Sequence, residues 1–137
     1  MPDDTPTDRS QTPEIALGAG RTDALANGRL AEGTGGFGYP SALAPGEFAL
    51  TGTWSVGQEA LTSRRNAGIK LNFSAGDVYL NVGGSGTVTA TLDGKTTTHA
   101  VSGPPNIYRV VSGSAPRQGV LTLTLSPGLS AYSFTFG

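Results

Sequence analysis

The sequence predicts an all-β protein, a two-sheet antiparallel β-sandwich. Three observations carry that expectation. Segments of the chain alternate apolar residues with Thr, Ser or Asn, the pattern of strands with one face in a core and one in water. Gly (21) and Pro (9) are frequent enough in 137 residues to interrupt any long helix. The reversals between segments carry turn chemistry, most clearly Asp93-Gly94, where both residues tolerate positive φ.

Residues 1–12 hold Asp3, Asp4, Asp8, Pro2 and Pro6, with no bulky apolar residue after Met1. Such a segment offers too little burial to offset its ordering entropy, so it reads as a flexible lead or linker remnant. The sandwich module is expected over 13–137, opening with the alternation Glu14-Ile15-Ala16-Leu17. Residues 18–47 read as a long loop: one short helical turn over 21–27 stopped by Gly28, then Gly33-Thr34-Gly35-Gly36-Phe37-Gly38-Tyr39-Pro40. Loops of that length in a compact domain are often functional.

From Phe48 onward the period is two. Phe48, Leu50, Trp54 and Val56 share one parity; Ile69, Leu71 and Phe73 alternate with Lys70 and Asn72; Val78, Leu80 and Val82 alternate with Tyr79 and Asn81. Val88, Ala90 and Leu92 alternate with threonines, as do Leu121, Leu123 and Leu125, and Tyr132, Phe134 and Phe136 share an apolar parity near the end. Shorter strands are expected at 60–62, 96–101 and 107–112. Reversals are expected at Ser74-Ala75-Gly76-Asp77, at Gly83-Gly84-Ser85-Gly86 and at Ser126-Pro127-Gly128. That makes about ten strands and no long helix, the pattern of two packed sheets.

Composition excludes several kinds of chemistry. There is no Cys, hence no disulfide, thiolate nucleophile or Cys-based metal centre, and the single His99 excludes a multi-histidine site. No metal or cofactor is expected. A net charge of −1 without a basic cluster argues against nucleic acid as partner. No apolar run approaches the roughly 18 residues of a membrane span, and the acidic N-terminus lacks the features of a signal peptide.

The candidate chemistry is sparse. Gly33-x-Gly35-x-x-Gly38 matches the dinucleotide-binding spacing, but Tyr39-Pro40 follows where a helix would have to start. His99 has the parity of Val101 and reads as a half-buried strand residue satisfied by a neighbour. No nucleophile-elbow spacing occurs, so no enzymatic activity is expected. Trp54 shares the core parity and is placed inside. Phe37 and Tyr39, in a loop with no core face, are the better stacking platforms. Tyr108 stands among polar neighbours and is a further candidate, as Tyr79 is exposed by the same reasoning. Arg64 and Arg65, read as a turn between short strands, are candidate ligand contacts because adjacent like charges favour water or an anion. Asn72-Phe73-Ser74 matches the glycosylation pattern but lacks a secretory signal beside it.

Several segments, in order, carry a family resemblance: Thr12-Pro13-Glu14-Ile15-Ala16-Leu17-Gly18-Ala19-Gly20-Arg21, Trp54-Ser55-Val56-Gly57-Gln58-Glu59, Thr91-Leu92-Asp93-Gly94-Lys95, and Ile107-Tyr108-Arg109-Val110-Val111. The most specific is the closing Ala131-Tyr132-Ser133-Phe134-Thr135-Phe136-Gly137. Over residues 12–137 the chain resembles the C-terminal module of DipZ-type thioredoxin-like proteins of the cytochrome c biogenesis class. The resemblance implies a jelly-roll sandwich, similar to carbohydrate-binding modules and galactose-binding-like domains, appended to an extracytoplasmic thioredoxin-like domain. The Cys-x-x-Cys of that domain is absent here, and Ala16 and Ala19 stand where the family is expected to carry aromatics. The compartment is expected to be cytoplasmic if Met1 is the native start, and extracytoplasmic if the chain is a fragment of a DipZ-type protein.

The expected function is therefore non-catalytic ligand recognition, with a glycan as the leading partner. Phe37, Tyr39, Arg64, Arg65 and Tyr108 are its candidate contacts. The alternative is an accessory domain that docks protein in a thiol–disulfide oxidoreductase system.

Overall fold

The computed structural model describes residues 12–20, 24–28, 30–113 and 115–137. Eight strands account for the regular structure, in chain order β1 (Ile15–Ala16), β2 (Gly33–Phe37), β3 (Phe48–Val56), β4 (Leu61–Ala75), β5 (Val78–Leu92), β6 (Lys95–Val111), β7 (Arg117–Leu125) and β8 (Ser130–Phe136). All pairings among them are antiparallel. The expected sandwich is present, with fewer and longer strands than the alternation suggested. Three strands serve both layers, which merges several short segments into continuous ones.

The long strands are the reason. The first residues of β4 pair with β8 (Leu61 with Ala131), whereas its remainder pairs with β7 (Ala67 with Leu125 through Ala75 with Arg117). β5 pairs with β8 over its first half and with β7 over its second. The circuit β5–β7–β4–β8 thus closes on itself. β2 and β3 extend one side of it, β1 caps β8, and β6 follows β5 along nearly its whole length.

The run 83–86, expected to reverse the chain, instead bends β5 as it passes from one layer to the other. A Cβ on Gly86 would sit 2.3 Å from Ser126 Oγ, and one on Gly84 (φ 114°) would sit 2.6 Å from the Gly128 carbonyl. Only a backbone without side chains passes this close beneath the β7–β8 connection. The genuine reversals are 76–77, Asp93-Gly94 (φ 52° and 78°) and 126–129.

Between the layers lie Trp54, Phe48, Phe73, Phe134, Leu50, Ile69, Leu71, Leu80, Leu121 and Leu123, all essentially inaccessible to water. Each such side chain contributes on the order of 1.5–3 kcal/mol by leaving water. Trp54 is in the core as its parity predicts, and its indole Nε1 donates to the Thr51 carbonyl at 2.9 Å. Ser63 is the most deeply buried polar residue among those described. Its hydroxyl donates to the Ser126 carbonyl (2.6 Å) and accepts from Leu129 N–H (3.0 Å), tying β4 to the β7–β8 turn.

The described residues of 18–47 make more strand and side-chain pairing than the loop reading allows. Gly33–Phe37 forms β2 against β3, because its glycines accommodate an edge strand that buries almost nothing. Of the helical turn expected over 21–27, residues 21–23 lie outside the described ones. Over 24–27 the chain makes a turn with an isolated bridge from Leu25 to Phe48. The Asn27 amide replaces missing strand bonds: its oxygen accepts from Leu50 N–H (2.6 Å) and its nitrogen donates to the Gly38 carbonyl (2.7 Å). Residues 38–47 then return along β4, where Asn72 donates to the Leu43 carbonyl (3.0 Å) and accepts from Gln118 (3.2 Å). Asn72 is buried with its amide engaged in this way, which accounts for the glycosylation-like triplet in structural terms. Thr12, placed in the lead, belongs to the folded part: it exchanges hydrogen bonds with Ser74. The rest of the lead, residues 1–11, lies outside the described residues. Among those described, no helix is long and apolar enough to cross a membrane.

Candidate functional site

The residues singled out from the sequence fall in three places. Phe37 ends β2 beside Gly52 and packs partly against the core, so it belongs to a strand and not to a free loop. Tyr39 is half-buried, with its hydroxyl over Gly68, where a Cβ would come within 2.8 Å of it, and with Lys70 Nζ 4.6 Å from its ring centroid. Burial pushes the Tyr39 phenol up to about 12 from the ordinary 10.0. One face of this ring is thus occupied by a cation. Tyr108 lies apart on β6 opposite Leu80, packed against the core, with Ser102 N–H directed at its hydroxyl at 3.5 Å. His99 is half-buried and its Nε2 meets Thr97 Oγ1 at 2.9 Å, the satisfied strand histidine expected.

Arg64 and Arg65 sit inside the continuous strand β4 and not in a turn between short strands. The pairing explains their placement. Trp54 is opposite Ser63 while Thr53 is opposite Arg65, so Arg64 is an inserted residue, and a second shift follows between Thr51 and Thr53. Asn66 adopts φ 50° within this bulge. On the partner strand Gly52 (φ 82°) makes room, since a Cβ there would stand 2.0 Å from the Asn66 carbonyl oxygen. Successive residues of a regular strand point to opposite faces, so one of two adjacent arginines would enter the core; the bulge leaves both exposed.

Next to them four hydroxyl residues line up across four strands. Thr34 of β2 is in register with Ser55 of β3, Ser55 with Thr62 of β4, and Thr62 with Ser130 of β8. In-register residues share a face, and the hydroxyls meet in pairs: Thr34 with Ser55 at 2.8 Å, Thr62 with Ser130 at 2.8 Å. Arg64 Nε donates to Ser55 Oγ at 2.7 Å, joining the guanidinium to the row. An open hollow of about 550 Å³ lies over it, lined by Ser55, Thr62 and Ser130 with Gln58, Glu59 and Tyr132. The far rim is held by Gln58, which hydrogen-bonds the Glu32 carboxylate, and by Ala19 N–H on the Gly57 carbonyl (2.8 Å).

Tyr132 is the residue that sequence reasoning missed here. Its parity groups it with Phe134 and Phe136, yet Asn81 pairs with Ser133 while Val82 pairs with Ala131. That one-residue bulge puts Ala131 and Phe134 inside and leaves Tyr132 half-buried at the hollow. Two closely spaced buried positions of odd separation, Ala131 and Phe134, are the only trace of it along the chain. Chemically, the row offers hydroxyls that each donate and accept, one aromatic face, one guanidinium and one carboxylate at the opposite rim. Such a mixture suits a polyhydroxylated ligand with an apolar C–H face. Among the described residues no group of three or more His, Cys, Asp or Glu converges as a metal site would require.

Residues 12–137 match the family described as thioredoxin like C-terminal domain. Protein DipZ of Mycobacterium bovis is 43% identical over 138 residues, covering 99% of this chain and 20% of the relative. Protein DipZ of Mycobacterium tuberculosis shows the same identity and coverage. The chain thus spans about a fifth of the length of these curated relatives. Among solved structures, a family two carbohydrate esterase from Clostridium thermocellum in complex with cellohexaose superimposes with a TM-score of 0.51. It is 23% identical, over 58% of this chain and 27% of that one. At that identity the likeness is one of fold, and it agrees with the sandwich.

Proposed function

Because the chain belongs to the thioredoxin like C-terminal domain family, we propose that it is a non-catalytic recognition module of a thioredoxin-associated protein, and that it binds glycan. The observation that carries this reading is the row Thr34–Ser55–Thr62–Ser130, with Tyr132 and Arg64 at its margins. A sugar ring laid on Tyr132 brings its equatorial hydroxyls within reach of a row that accepts and donates along its length. Each exchange replaces a bond to water, so the net gain per hydrogen bond is only about 1 kcal/mol. An affinity on the order of 0.1–1 mM follows for one stacked ring with a few such bonds. In this reading the stacking moves from Phe37 and Tyr39, which are engaged by the core and by Lys70, to Tyr132; Arg64 and Arg65 remain contacts.

Saturation-transfer NMR against neutral and acidic oligosaccharides tests it, with cellohexaose included because the esterase of like fold holds it. The expected result is transfer at millimolar glycan that is lost in Tyr132→Ala while the far-ultraviolet spectrum stays unchanged. Absence of transfer from every glycan would defeat it and favour protein docking. That second reading has one specific support: among the described residues β6 pairs only with β5, which leaves its other edge open there, and Ile107 on it is 51% exposed.

A further inference from the structure

We infer that the ligand of the hydroxyl row is an acidic glycan, whose carboxylate sits against Arg64 and Arg65 while its neutral hydroxyls lie toward Gln58 and Glu59. This deepens the glycan reading and rests on it.

The site is electrically polar from end to end. Glu59 lines the hollow, and Glu32 stands near it in contact with Gln58. Arg64 is joined to the row through Ser55, and Arg65 follows it on the exposed side of the β4 bulge. Among the described residues the only ion pair is Arg117 with Asp93, far along β4, so neither Arg64 nor Arg65 is neutralised by a carboxylate there.

The geometry also orients the cation. Arg64 spends its Nε–H on Ser55, which holds the guanidinium in one plane and leaves the N–H groups of its two terminal nitrogens for another acceptor. A planar fork of that kind matches a carboxylate bidentately, and charge-assisted bonds are roughly twice as strong as neutral ones. Adjacent like charges raise each other's energy, and an arriving anion relieves that repulsion. The opposite rim acts in the reverse sense: Glu59 rejects a carboxylate and accepts from neutral hydroxyls, which fixes the direction in which the chain of sugars lies.

The test is titration by heteronuclear NMR with a hexuronic-acid trisaccharide and with the neutral hexose trisaccharide of the same linkage. The acidic ligand is expected to bind about tenfold more tightly at low salt. That advantage should shrink severalfold when NaCl rises from about 20 to about 300 mM, as screening demands. Arg65→Gln should remove most of the advantage, and the double variant Arg64→Gln/Arg65→Gln should abolish it. Equal affinity for both ligands, an advantage insensitive to salt, or one that survives in the double variant overturns this inference while the glycan reading stands. Failure of both ligands to bind overturns the two together. Trp54 fluorescence and the melting temperature of each variant report that the fold is intact.

Discussion

Two hollows at opposite reaches of β4 are built in contrary ways. At its start, the hollow over Ser55, Thr62 and Ser130 lies on the outer face and is walled by hydroxyls paired across the strands. Toward its other end, a cleft of about 390 Å³ opens between the layers, floored by Ala90, Leu92, Val110, Val111 and Leu121 and rimmed by Lys95, Asp93 and Arg117. The first is a surface whose polar groups are placed by strand register. The second is the place where the two layers stop covering each other, and its apolar floor is continuous with the core. Cavity size would not separate them; the origin of their side-chain placement does. Register and bulges present specific groups at the polar hollow, whereas the cleft shows only what the alternation of β5, β6 and β7 leaves uncovered.

The strongest way to break the contrast is to remove the bulge. Gly52→Ala places a Cβ against the Asn66 carbonyl at a positive φ, and is expected to cost about 3 kcal/mol in urea denaturation. The ligand contacts proposed for Arg64 should be lost with it, even in the fraction that remains folded. A cost below about 0.5 kcal/mol would show that the bulge is not what holds the arginines out.

Ser63→Ala acts one residue from Thr62 but inside the sandwich. It orphans Leu129 N–H and the Ser126 carbonyl, and about 2 kcal/mol of stability should go, measured by thermal unfolding. Thr62→Ala, on the half-buried outer row, should cost well under half of that. Equal effects would mean that the row is structural and not available to a ligand.

At the cleft, Arg117 and Asp93 are 2.5 Å apart with side chains 44% and 61% exposed, so solvent screens the pair. Arg117→Ala is expected to cost less than about 1 kcal/mol, shrinking further in high salt. A larger, salt-independent loss would mark the rim as part of the core and not its edge.

The last effect appears only at alkaline pH, in the titration of Tyr39. Its folded pKa of about 12 exceeds the ordinary 10.0 because burial disfavours the phenolate. The unfolded chain therefore releases this proton first, so the contribution is intact below pH 10 and fades as pH rises toward 12. Absorbance of phenolate against pH should show one tyrosine titrating at about 12, and Tyr39→Phe should remove that phase. If the late phase persists in the variant, the ring is not held over Gly68 as described.

The polar hollow also shows where reading along the chain stops. Alternation was enough to place Trp54, Phe48 and Leu50 inside and to mark Asp93-Gly94 as a turn, because both are local properties of two to five residues. It failed at Tyr132 and at Arg64, each of which lies at a shift of one residue in the pairing. It failed as well at 83–86, where glycines that favour a reversal served a close approach by the β7–β8 connection. The strand Gly33–Phe37 carries almost no apolar signal, since it is an edge defined by the hydrogen bonds of β3.

By itself, then, the amino-acid sequence determined the two-sheet class, the core residues of β3, β4, β5 and β7, and the absence of thiol chemistry, because these depend on side-chain type and period alone. The tertiary structure decided that Thr34, Ser55, Thr62 and Ser130, up to 96 positions apart, stand in one row and that Tyr132 and both arginines face outward beside it. The physical reason is that a strand has a period of two: a single inserted residue reverses the face of everything after it. Whether a residue is inserted is a property of the partner strand and not of the segment that carries it.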